Sequence, residues 1–193
     1  MKDLSATYWD NRYKEGKLGW DIGHVSTPLK AYFDQLENKD LRILIPGAGN
    51  AYEAEYLNSR GFSNVAIIDW SESVIASFEE RNPNFPKNQL FCEDFFEHEG
   101  EYDAIIEQTF FCAIDPNLRT RMIKKVYDLL SNNGKYVGML FDFPLVTGPP
   151  FGGSLLEYQN LMRPIFKNVS IDKCHNSIKP RMGKEFFFIA RKA

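Results

Sequence analysis

Short apolar runs alternate with longer amphipathic stretches along most of the chain, and the two periods predict its elements. Residues 41–46 (LRILIP) are apolar almost throughout, as a strand buried on both faces must be. Residues 50–60 (NAYEAEYLNSR) carry helical spacing up to a stop at Gly61. The unit repeats: 64–69 (NVAIID) reads as a second strand and 71–82 (SESVIASFEERN) as a helix opened by the hydroxyl of Ser71. Residues 88–94 (NQLFCED) and 102–108 (YDAIIEQ) read as a third and a fourth strand. Pro116 stands where the first turn of a helix tolerates it; that helix runs to the stop signal SNNG, and 135–142 (KYVGMLFD) forms a fifth strand.

Uniformly apolar strands separated by helices imply a parallel sheet covered on both sides. The end of the chain breaks that rhythm. After the loop FPLVTGPPFGG and a helix from about Ser154 to Pro164, the runs 166–172 and 185–192 are joined by a Pro/Gly-bearing connection without a helix. Two strands joined in this way are antiparallel neighbours. With 193 residues and 44% hydrophobic content, a single domain over 1–193 is expected, without repeat or linker.

A formal charge of -3 gives no reason to expect nucleic acid or an anionic membrane as a partner. No run of apolar residues is long enough to span a membrane, and the charged beginning lacks the apolar core of a secretory signal, so a cytoplasmic protein is expected. The three cysteines, Cys92, Cys112 and Cys174, are widely spaced, which argues against a disulfide framework and against a metal site. A monomer is expected.

The chemistry concentrates after the first strand, in PGAGNAYEAE. A loop of this kind serves dinucleotides when a third glycine follows the second by three residues. Here Gly47 and Gly49 are present, but Tyr52 holds the third place. No Lys-Ser or Lys-Thr pair marks a phosphate loop, and Glu53 and Glu55 at the start of the helix repel a diphosphate. Asp69 ends the second strand twenty residues after Gly49, the place from which a carboxylate accepts hydrogen bonds from ribose hydroxyls; capping a turn is its plainer role. Asp94 and Phe95 suit an adenine amine and ring, or a loop aspartate beside a core phenylalanine. A ribose and adenine without phosphates, with carboxylates nearby, fits S-adenosylmethionine and its positive sulfonium.

The segments YWDNRYKEGKLGWDIG, LIPGAGNAYE, IIDWSES, EDFF, QTFFCAIDP, GPPF and KPRMGKE, in this order from Tyr8 to Arg191, resemble the thiopurine methyltransferase superfamily of class I methyltransferases, and most closely its halide/thiol branch. The resemblance implies a three-layer, Rossmann-like α/β fold. Its sheet is seven-stranded and mostly parallel, with a C-terminal antiparallel strand pair, and residues 1–40 form a helical cap over the cofactor. It also implies that Trp9 and Tyr13 cover the methionine end of S-adenosylmethionine, as a π face suits a sulfonium, and that Trp20 is a further aromatic residue near the pocket; stapling an N-terminal helix to the core is the alternative for these rings. Gly47, Gly49, Asp69, Trp70, Asp94, Phe95 and Gln108 complete the implied cofactor site. Gln108 departs from the halide/thiol branch, where a tyrosine precedes TFFCAI; it hydrogen-bonds but cannot stack.

For the small-molecule acceptor, the expected pocket residues are Phe110, Phe111, Phe143, Phe151 and Arg181, the last either steering an anion or pairing with Glu185. His24, His98 and His175 lie in separate segments without signature partners, and His98 and His175 read as surface residues. Cys112, inside FFCAI, reads as a buried small residue. No acid/base pair is visible, so the expected reaction is in-line transfer of a methyl group to a soft nucleophile: a thiol, hydrosulfide, halide or related chalcogen. The alternatives are methylation of oxygen or nitrogen on a small molecule, or a module that binds S-adenosylmethionine without catalysis. A nicotinamide dehydrogenase is disfavoured by Tyr52.

Overall fold

The computed structural model describes residues 4–145 and 147–193; the first three residues of the expected cap, and Val146 of the loop before Pro149, lie outside them. The strands are β1 (Ile43–Pro46), β2 (Val65–Asp69), β3 (Leu90–Cys92), β4 (Tyr102–Glu107), β5 (Leu130–Phe141), β6 (Asn168–Lys173) and β7 (Glu185–Arg191). They form one seven-stranded sheet in the order β3-β2-β1-β4-β5-β7-β6. Pairings from β3 through β5 are parallel, and β7 pairs antiparallel with both β5 and β6. The antiparallel ending is thus as expected.

The helices are α1 (Ala6–Lys14), α2 (Thr27–Phe33), α3 (Tyr52–Ser59), α4 (Glu72–Arg81), α5 (Arg119–Leu129) and α6 (Leu155–Met162). Alternate strand residues feed two cores. Ile43, Ile45, Val65 and Ile67 meet Leu29, Phe33, Ala54, Leu57 and Phe78 of α2, α3 and α4. Leu44, Ala66, Ile68 and Ile105 meet Met122, Ile123, Val126 and Met162 of α5 and α6. All residues of β1 and β2 are buried, which is why these strands read as continuous apolar runs.

Three boundaries differ from the sequence reading. Helix α3 begins at Tyr52, not Asn50, because Ala51 takes a left-handed conformation (φ 54°) and ends the glycine turn there. The third strand shrinks to Leu90–Cys92, preceded by a 3₁₀ turn over Lys87–Gln89. The fifth strand starts at Leu130, and the expected stop SNNG lies within it: the pairing slips from Tyr102↔Leu130 to Ala104↔Lys135, with Asn133 at φ 64°. The turn residues thus made an irregularity inside a strand rather than a gap before one.

Candidate cofactor and acceptor site

β1 lies between β2 and β4, so the connections leaving β1 and β4 diverge to opposite faces of the sheet and leave a crevice at the carboxyl ends of the strands. A cleft opens there. Its walls are the glycine turn (Gly47 to Ala51), the β4 exit (Gln108 to Asp115), Asp69 and Trp70 after β2, and Pro149 and Pro150; Trp9, Arg12, Tyr13, Trp20 and Asp21 come from the N-terminal segment.

The glycines are required at their places. Gly47 and Gly49 have φ of 56° and 54°, and rings come against both. A Cβ on Gly47 would run into the Phe110 ring, and one on Gly49 would stand 2.6 Å from the Tyr13 hydroxyl. The turn is tied to β2 by Asp69, which accepts the Gly49 N–H at 3.2 Å and the Ser71 N–H at 3.0 Å. Burial pushes this carboxyl above its ordinary pKa, with the Ser71 and Gly49 N–H groups opposing.

The β4 exit is held by Glu107, fully buried, whose Oε1 accepts the N–H groups of Phe110 and Phe111, each at 2.8 Å. Its other oxygen accepts the Tyr136 hydroxyl at 3.0 Å. Desolvation pushes Glu107 up to about 7 despite these three donors. Gly138 on β5 makes the close approach feasible, since any side chain there would strike the Glu107 backbone.

The N-terminal aromatic residues form a cluster. Trp20 meets Trp9 at 5.5 Å and Tyr13 at 5.7 Å between centroids, both edge to face. Helix α1, capped by Ser5, is fastened to the start of α4 by Asp10, which accepts the hydroxyls of Ser71 (2.7 Å) and Ser73 and the Lys14 ammonium. These bonds, Lys14 first, hold Asp10 well below the usual carboxylate range. Trp20 is further fixed by Arg181, whose Nη2 donates to its carbonyl at 2.6 Å while Nη1 lies 3.4 Å from Glu185. Of the two roles open to Arg181, pairing with Glu185 is the one its geometry displays.

Trp9, Tyr13, Trp20, Gly47, Gly49, Asp69, Trp70, Gln108 and Phe110 line the cleft, as does His24 at its exposed mouth. Asp94, Phe95, Phe111, Phe143, Phe151 and Arg181 are not among the lining residues. The turn after β3 explains the first two. Asp94 Oδ1 accepts the Phe96 N–H at 2.9 Å, which sends Phe95 into the core against Phe110 and leaves Phe96, not Phe95, in the cleft wall. Phe111 is buried under Tyr158 and the Arg119 guanidinium. The Phe143 ring packs tilted against Phe141 and lies close over Gly152, and the Phe151 ring lies close over Gly148, so both rings shape the loop that carries Pro149 and Pro150.

His98 corrects another expectation: it is buried, with Nδ1 at 2.5 Å from Glu93 and Nε2 at 2.7 Å from the Tyr102 hydroxyl, and it anchors the turn that carries Phe96. His175 is exposed, as expected. Cys112 is buried as expected and also lines the cleft; burial raises its thiol far above the ordinary range, so it is held as the thiol. The sequence reading missed Arg12, Asp21 and Phe96. Arg12 had a legible signal, since it falls three residues after Trp9, within reach of it on the helix surface.

Four carboxylates, Asp21, Glu53, Asp69 and Asp115, line the cleft against one guanidinium. That balance suits a sulfonium and opposes a polyphosphate. Two shielded polar atoms in the lining, Arg12 Nε and Gln108 Oε1, lack hydrogen-bond partners among the described residues, which is how a preformed ligand site looks without its ligand's groups.

A doubly wound sheet closed by an antiparallel strand pair, with a glycine turn after β1 and a carboxylate at the end of β2, is the architecture of the class I methyltransferases. The chain matches the thiopurine S-methyltransferase family over residues 4–187 and belongs to it; it is an S-adenosylmethionine-dependent methyltransferase. It is 31% identical over 187 residues to thiocyanate methyltransferase 1 of Brassica oleracea, an alignment covering 92% of this chain and 81% of that protein. It is 25% identical over 219 residues to thiopurine S-methyltransferase of Pseudomonas syringae pv. tomato, covering 98% and 99% respectively. Its fold is shared with the crystal structure of Burkholderia thailandensis 1,6-didemethyltoxoflavin-N1-methyltransferase, bound to 1,6-didemethyltoxoflavin and S-adenosylhomocysteine. The TM-score is 0.76 at 18% identity, over 98% of this chain and 88% of that one. No helix among the described residues is long and apolar enough to cross a membrane.

Proposed function

We propose that this methyltransferase acts on a small soft nucleophile, a thiol, hydrosulfide, halide or related chalcogen, by in-line displacement. One observation carries the reading: among the described residues the cleft offers aromatic and apolar walls and partnered carboxylates, but no base paired for proton abstraction. His24 sits exposed at the mouth with Nδ1 at 2.7 Å from the Val25 carbonyl oxygen, and Cys112 is a buried thiol. A nucleophile that arrives as an anion needs no base. The name of the Brassica relative, a thiocyanate methyltransferase, agrees with such an acceptor.

When bound, S-adenosylmethionine supplies an electrophilic methyl group whose transfer leaves a neutral thioether and converts an anionic nucleophile into a neutral product. The chain's residues do the rest. In this reading Asp69 takes the ribose, the turn from Gly47 to Ala51 gives close backbone approach, and Trp9, Tyr13 and Trp20 form an N-terminal cap that excludes water from the reacting groups. Phe96, on the cleft wall, is better placed than Phe95 to meet the adenine. Phe110, Pro149 and Pro150 shape the acceptor end.

A second reading, oxygen or nitrogen methylation, draws on Glu53, a lining carboxylate whose pKa is raised by burial and which accepts the Ser26 N–H at 3.0 Å. A panel of iodide, thiocyanate, hydrosulfide, aliphatic and aromatic thiols, phenols and amines, assayed at several pH values, separates the two. Turnover confined to the sulfur and halide acceptors supports the first; turnover confined to phenols or amines replaces it.

A further inference from the structure

The charges lining the cleft are unevenly satisfied. Every carboxylate has a partner: Asp69 holds two backbone N–H groups, and Glu53 holds that of Ser26. Asp115 holds the N–H of Asn117 at 2.9 Å, and Asp21 holds that of Gly23 at 2.6 Å together with the side chains of Asn50 and Tyr52. The one cation that is charged at all working pH values has none. Arg12 makes no ion pair or side-chain hydrogen bond among the described residues, and its Nε is shut off from solvent. Glu15, which feels its charge, is bridged to Lys17 at 2.8 Å. What fixes Arg12 is the Trp20 face, with the guanidinium carbon 5.2 Å from the ring centroid.

A guanidinium with a shielded, unpartnered N–H is costly unless something anionic completes it, and its planar fork fits a carboxylate. The second orphan atom in the same lining, Gln108 Oε1, is an acceptor. One unfilled donor and one unfilled acceptor match the two ends of an amino-acid zwitterion. Resting on the cofactor reading above, we propose that Arg12 binds the α-carboxylate of the methionine moiety and that Gln108 accepts from its α-ammonium group. The cap would then recognise both the charge and the π-compatible sulfonium of the cofactor, and Trp20 would serve as the platform that aims the guanidinium.

The test is calorimetry with three ligands, S-adenosylhomocysteine, its α-methyl ester and 5′-methylthioadenosine, on the unaltered protein and on Arg12→Gln and Arg12→Lys. Loss of a hydrogen-bonded charge predicts that Arg12→Gln weakens S-adenosylhomocysteine about tenfold or more. Arg12→Lys should recover part of that loss, and 5′-methylthioadenosine, which has no carboxylate, should change by less than about twofold. On the unaltered protein the ester should bind about tenfold more weakly than the acid, a comparison that needs no variant to fold. An ester as tight as the acid overturns the proposal. So does equal weakening of all three ligands by Arg12→Gln, or unchanged S-adenosylhomocysteine affinity with a raised KM for iodide alone, which would assign Arg12 to the acceptor. If none of the three binds the unaltered protein, the cofactor reading itself fails, a result distinct from these.

Discussion

The carboxylate of Asp69 accepts the backbone N–H of Gly49 at 3.2 Å, across the sheet from the next strand. One side chain thereby shapes the glycine turn and lines the cleft it encloses. Asp69→Ala should weaken S-adenosylhomocysteine binding by roughly 1.5–3 kcal/mol, the usual cost of losing hydrogen bonds to a charged group. Isothermal titration measures it; an unchanged dissociation constant would remove Asp69 from the ribose role. Asp69→Asn, which keeps one acceptor oxygen for the turn, should retain more thermal stability than Asp69→Ala.

Gly47→Ala should be damaging twice over. The new Cβ meets the Phe110 ring, and φ at 56° disfavours any side chain. Overpacking of this kind costs about 1–3 kcal/mol, readable as a lower urea midpoint at constant slope. If Phe110 moves instead, the clash is relieved but the backbone strain remains and cofactor affinity falls, so a variant normal in both stability and affinity would contradict the geometry.

Glu107 makes stability depend on pH. Its folded pKa, about 7, lies above the ordinary 4.5, so the folded state holds the proton more tightly than the unfolded one. Its contribution is therefore fully present below about pH 4.5 and is lost as pH rises through about 7. Glu107→Gln retains an oxygen for the Phe110 and Phe111 N–H groups without ionising. Melting temperatures measured from pH 5 to 8 should show the parent protein losing ground to this variant as pH rises; parallel curves would refute the raised pKa.

Asp10 tests the fastening of the cap. Asp10→Ala removes the acceptor shared by Ser71, Ser73 and Lys14, so amide exchange should accelerate across α1 while the sheet stays protected. The expected loss of global stability is small, about 1 kcal/mol, whereas cofactor affinity should fall with the disordering of Trp9 and Tyr13. Exchange unchanged in α1 would show that its aromatic contacts alone hold it.

Much of this molecule was legible from residue order. The strands β1 and β2 are buried on both faces, so their apolar runs are unbroken, and the later helices α4 and α6 carry their own caps: Ser71 accepts the Val74 N–H, and Ser154 the Glu157 N–H. Gly47, Gly49 and Asp69 were placed in the cleft by motif spacing, because a turn and a strand end have geometry that few residue types satisfy, and Gln108 by the family resemblance alone. Phe95 and Phe96 were not distinguishable in this way. Adjacent and chemically identical, they are sorted into core and cleft by the turn that Asp94 and His98 hold, in which the Phe96 N–H bonds to Asp94.

By itself, then, the sequence determined the alternation of elements and the glycine turn, which are written in local spacing, capping and backbone freedom, and the order of its motifs resembled the family to which the chain belongs. Only the tertiary structure decided that Arg181 is engaged by Glu185 and the Trp20 carbonyl, that His98 is buried between Glu93 and Tyr102, and that Arg12, laid over the Trp20 ring, has no hydrogen-bond partner for its Nε among the described residues. The reason is physical. A charge's partner is set by which distant segments the sheet order brings within hydrogen-bond reach, and nothing in the composition of either segment encodes that distance.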